Sequence, residues 1–85
     1  MEREIEESLK EFNKYREPEI EGRLIALDRA SFTIEFEGSF CRTCGFYDYF
    51  EDYQIVLEEM LNMKTRIIQI DETGVGAVVV FEILV

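Results

Sequence analysis

The chain has no histidine. That removes the commonest general base near neutral pH and a common metal ligand. A hydrolytic triad goes with it, since no serine has a convincing setting either. Cysteine is scarce: Cys41 and Cys44 are the only two. Three apart, they can close a local disulfide but cannot staple a fold. A structural zinc on them needs two further ligands, which only acidic residues or a second copy of the chain would supply. Positive charge is also short, with 9 basic against 19 acidic residues and a net charge of -10. Phosphate backbones and anionic lipid surfaces both require a positive surface, so neither nucleic acid nor a membrane is an expected partner. Long apolar runs are missing too. Val75–Phe81 is too short to span a bilayer and contains a glycine. The charged N-terminus does not read as a signal peptide, and the expected location is cytoplasmic. The glycines match neither the dinucleotide-binding nor the P-loop spacing.

What is present suits one domain, residues 1–85, with a modest core. At 47% apolar the chain is not disordered by composition. Residues 2–14 read as a helix with a narrow stripe of Ile5, Leu9 and Phe12, ended by Pro18. Glu19–Leu27 reads as a strand, with Gly22 marking a bulge or a close backbone contact. Asp28-Arg29-Ala30 is a short connection. Phe32, Ile34 and Phe36 then alternate with Thr33, Glu35 and Glu37, the pattern of a half-buried antiparallel strand.

Asp48–Leu61 is the best helix in the sequence. Asp48 reads as its N-cap with Glu51 three on, and Tyr49, Tyr53, Val56, Leu57, Met60 and Leu61 recur at helical spacing. Ile55 falls on the polar side, where it is expected to touch a neighbour. After a link at Asn62-Met63, Lys64–Ile70 reads as a strand and Asp71-Glu72-Thr73-Gly74 as a turn. Ala77–Val85 is the last strand. It lacks a polar face up to Phe81, which predicts either a central strand or one covered by a second copy of the chain. The expected fold is α+β, in the order α-β-β-α-β-β, with two antiparallel hairpins in one four-stranded sheet and both helices on one face.

Two candidate sites follow. Asp48, Glu51 and Asp52 crowd the start of the second helix, and Asp71 and Glu72 sit in the last turn. Carboxylates this close repel one another, and a bound calcium or magnesium ion relieves the cost. No EF-hand spacing is present, so such a site would be irregular and weak, with a dissociation constant of about 10⁻⁴–10⁻³ M. The alternative use of these residues is capping and solubility. The second candidate is the Cys41–Cys44 pair. A Cys-x-x-Cys dithiol before a helix can have a lowered thiol pKa, which Arg42 favours and the nearby carboxylates oppose.

The length, the acidity and the element order, with the acidic helix and the turn at Asp71, resemble small acidic proteins of methane-producing archaea of unknown cellular role. That resemblance implies a compact α+β domain and calcium binding, and it carries over no residue assignment. A second resemblance covers roughly residues 36–84. Phe36-Glu37-Gly38-Ser39, Cys44-Gly45-Phe46, Glu72-Thr73 and Phe81-Glu82-Ile83 are similar to the small-ligand-binding domain related to vinyl reductases. Its cysteine before a glycine-aromatic helix start is matched by Cys44. Its later cysteines fall where this chain has Thr73 to Val80 and none. The functional expectation is a non-catalytic protein that binds a divalent cation, calcium before magnesium, through carboxylates. Thiol redox work at Cys41 and Cys44 is an alternative. Another is an accessory role in a larger complex, with a basic protein partner or a second copy of the chain.

Overall fold

The alternation at Phe32, Ile34 and Phe36 divides the sheet into an apolar and a polar face, and in the computed structural model both helices lie on the apolar one. The structure describes residues 1–16, 20–38 and 46–84. In chain order the elements are α1 (Glu2–Arg16), β1 (Ile20–Leu27), β2 (Ser31–Gly38), α2 (Phe46–Leu61), β3 (Lys64–Glu72) and β4 (Gly76–Leu84). The strands form one antiparallel sheet in the order β1-β2-β4-β3. The α-β-β-α-β-β order expected from the sequence is therefore the observed one. β4 is an inner strand, which explains its apolar run without a second chain.

The core is aromatic. α1 buries Ile5, Leu9 and Phe12, and α2 buries Phe50, Tyr53 and Leu57, against Phe32, Ile34, Phe36, Val79 and Phe81 of the sheet. Phe36 is the hub. Its ring centroid lies 5.8 Å from Phe12, 4.9 Å from Phe50, 6.1 Å from Tyr53 and 6.4 Å from Phe81. Three of these four pairs meet edge to face, the arrangement favoured by the ring quadrupoles. Arg16 ties the helices together at the rim. Its guanidinium lies over the Phe12 ring, 5.6 Å from the centroid, and donates to Asp52 of α2 at 2.9 Å.

One polar pair sits inside this core. The Ser8 hydroxyl donates to the Ile5 carbonyl at 2.6 Å, so the Tyr53 hydroxyl, 2.8 Å away, donates to Ser8. The two substitutions should therefore differ. Tyr53→Phe leaves Ser8 its carbonyl partner and is expected to cost about 1 kcal/mol, whereas Ser8→Ala orphans a buried phenol and is expected to cost about 1–3 kcal/mol. In the double variant the costs should fall short of their sum, as urea midpoints would show. Burial pushes the Tyr53 hydroxyl above the ordinary tyrosine value. The native state thus keeps a proton that the unfolded chain loses near pH 10. That stabilisation is complete below about pH 10 and is lost as the pH rises above it. Tyr53→Phe should flatten the alkaline limb of the stability curve.

Both edge strands carry a bulge. Pairing slips between Leu24 and Ala26 in β1 and between Ile67 and Gln69 in β3. Each slip places an extra residue, Ile25 or Ile68, between two core-facing positions, and both extra residues are about half exposed. Gly22, read from sequence as a bulge or a close contact, is the latter. A Cβ there would stand 3.0 Å from Leu9 Cδ2 and 3.2 Å from Phe36 Cε1.

Several boundaries differ from the sequence reading, among them the end of α1, which runs on to Arg16. α2 starts at Phe46, so Asp48 is a first-turn residue rather than the N-cap, still favoured by the helix dipole. β3 runs on through Glu72, and the turn is closed later by the Thr73 N–H donating to the Gly76 carbonyl at 2.8 Å. β4 begins at Gly76. α2 ends in an αL cap: Asn62 has φ 52° and its N–H donates to the Glu58 carbonyl, while the Met63 N–H donates to the Leu57 carbonyl.

Candidate functional site

The five acidic residues proposed as cation ligands are distributed over several surfaces. Asp52 faces α1 and is held by Arg16. Glu51, the preceding residue, is turned about 100° around the helix and lines a groove on the opposite flank of α2. Asp71 and Glu72 are consecutive strand residues, paired with Val78 and Ala77. Consecutive strand side chains leave opposite faces, so Glu72 shares the helix-covered face with buried Ala77 while Asp71 lies on the bare face. There Asp71 accepts a hydrogen bond from the Gln69 amide. Asp48 is exposed in the first turn of α2. Among the described residues, no three Asp, Glu or Cys side chains stand close enough to hold a metal ion. Cys41 and Cys44 lie outside the described residues.

The sheet face turned away from the helices carries cross-strand ion pairs, Arg23 with Glu35 and Arg66 with Glu82. Val78 and Val80 are half-buried between these flanking residues. Glu21 stands directly opposite Glu37, with Arg23 beside them. A solvated polar face of this kind is ordinary for an antiparallel sheet.

A concavity lies at the other flank of α2. Glu51, Gln54, Ile55, Glu58, Lys64, Thr65 and Leu84 line an open groove of about 530 Å³ between α2 and the edge strand β3. One flank of α2 forms its wall. Phe50, Tyr53 and Leu57 anchor the helix on the core, and helical spacing then turns Gln54, Glu58, Glu51 and Ile55 toward and beyond β3. Ile55 is 53% exposed and Leu84 45% exposed. Gln54 bridges the groove floor, its amide donating to the Thr65 carbonyl at 3.0 Å and to the Thr65 hydroxyl at 3.2 Å. The sequence marked Ile55 as misplaced on its helix. It gave no sign that Glu51, Glu58 and Leu84 would join it, because that depends on where the helix crosses the sheet edge.

No helix among the described residues is long and apolar enough to cross a membrane. No family model, curated protein or solved structure matches this chain.

Proposed function

We propose that this protein is an acidic docking module that binds a basic, apolar-anchored segment of a partner protein in the groove between α2 and β3. The observation that carries this reading is exposed Ile55, set on one flank of α2 between the carboxylates of Glu51 and Glu58 in the groove. Apolar surface of this kind gains by being covered, and the carboxylates select what covers it. Two glutamates against the single Lys64, on a chain with net charge -10, favour a cationic occupant and oppose a second copy of the chain. The groove's polar groups are carboxylates, an amide, an ammonium and a hydroxyl at or near the surface, a set suited to contact with a partner.

The segment's chemistry follows from the spacing. Glu51 and Glu58 are two helical turns apart, about 10 Å along the axis. In an extended segment, residues four apart are separated by about 13 Å on one face, a difference that flexible lysine stems absorb. An apolar residue flanked by lysines two positions away on either side therefore meets Ile55 and both carboxylates together. The capped heptapeptide TKTITKT has this pattern.

Fluorescence anisotropy with labelled TKTITKT tests the reading. Binding is expected to weaken about tenfold in the double variant Glu51→Gln, Glu58→Gln, at about 0.7 kcal/mol per exposed charge pair. Ile55→Ser should weaken it several-fold while moving stability by less than about 0.5 kcal/mol, since Ile55 is outside the core. Equal affinity for both variants and the parent would refute the proposal. The competing use of the carboxylates is calcium or magnesium binding, which rests on the charge and on the archaeal resemblance. A titration with calcium separates the two. A localised, saturable response at Asp48, Glu51, Asp52, Asp71 or Glu72 would favour the ion, whereas small scattered shifts reproduced by salt are ordinary screening.

A further inference from the structure

The two edges of the sheet are finished differently. At β1, Asn13 of α1 uses its whole side-chain amide on one residue: its Nδ2 donates to the Gly22 carbonyl at 3.0 Å, and the Gly22 N–H donates to its Oδ1 at 2.7 Å. The amide stands where a neighbouring strand's peptide group would stand, and it blunts that edge. At β3 the corresponding contact is partial. Gln54 donates to the Thr65 oxygens, which shows that this carbonyl faces away from β4. The strand is nine residues long, and Ile68 in its bulge is 51% exposed. Gln54 reaches this edge from α2, and Glu51, Ile55 and Glu58 of the same helix line the groove beside it.

We propose that the basic, apolar-anchored segment binds as a fifth strand on the outer edge of β3, hydrogen-bonded to its main chain in the region of Thr65 and Ile67. This rests on the docking reading and adds the mode of recognition. An edge strand supplies main-chain bonds to any extended segment, and side-chain pockets supply selectivity. Here the selecting surface is the flank of α2 that lines the groove. A strand laid beside β3 presents alternate side chains upward to Ile55, Glu51 and Glu58 and leaves the intervening ones on the polar face near Arg66 and Gln69.

The test separates main-chain pairing from side-chain contact. In an antiparallel ladder the N–H and C=O of one residue face one edge and those of the next face the other. Two N-methylated forms of TKTITKT are therefore compared with the parent by fluorescence anisotropy. One is methylated at its lysines and isoleucine, the other at its two central threonines. Strand addition predicts that one form loses tenfold or more in affinity while the other stays within about threefold of the parent. Equal retention by both forms, or equal loss, overturns the fifth strand and leaves the groove reading intact. Absence of binding by the parent peptide overturns the docking reading itself, and this inference with it.

Discussion

Replacing Phe36 by alanine is expected to lower folding stability by about 3–5 kcal/mol, against less than about 2 kcal/mol for Phe36→Leu. Phe36 is fully buried and its ring meets aromatic rings from both helices and from β4, so the truncation opens a void where the three parts converge. The lost transfer free energy and the residual cavity add, and relaxation is limited because the neighbours are stiff rings. Domains of this kind are stable by only about 5–15 kcal/mol, so the alanine variant should be partly unfolded at 37 °C. Near-ultraviolet circular dichroism and urea unfolding would read this, and an effect below about 1.5 kcal/mol would mean that the aromatic hub is not the centre of the core.

Gly76→Ala should cost about 3 kcal/mol or more, beyond the usual range for overpacking. Gly76 pairs with Glu37 on β2 and is buried. A Cβ added there would overlap the Phe36 carbonyl oxygen, with the carbonyl carbon at 2.8 Å and Glu37 Cα at 3.0 Å. The obstruction is backbone, so no rotamer change relieves it, and β2 and β4 would have to part at the end of their ladder. The same clash keeps Phe36 from its place under Phe50, so the Gly76 and Phe36 substitutions should be non-additive. Gly74→Ala is the contrast. Nothing lies within 4 Å of a Cβ there, and the change is expected to be nearly neutral in the same unfolding assay.

The fold was legible because its periods are clean. Phe32, Ile34 and Phe36 alternate, α1 carries its stripe at Ile5, Leu9 and Phe12, and the apolar run of β4 marks an inner strand. The bulges were written in the sequence but misplaced in its reading. Leu24 with Leu27, and Ile67 with Ile70, are three apart in strands of period two, and only an inserted residue returns the second of each pair to the core face. Asp71 and Glu72 read as turn residues because acids and Gly74 cluster there, yet pairing with Val78 and Ala77 carries the strand through them. That difference bears on function, since a turn can gather two carboxylates while a strand sends them to opposite faces. The docking groove was half legible. Ile55 stood out as an apolar residue on a polar helix side, but its companions come from three separate elements, and only the crossing of α2 over β3 assembles them.

The most direct measurement of the docking claim is a backbone amide titration of ¹⁵N-labelled protein with TKTITKT at low salt. The account predicts saturable shifts concentrated at Glu51, Gln54, Ile55, Glu58, Thr65 and Ile67, absent in Ile55→Ser and unaffected at the Asn13-capped edge around Gly22. Shifts spread alike over the carboxylates of α1 and the bare sheet face, and matched by an all-threonine-and-lysine peptide, would contradict it.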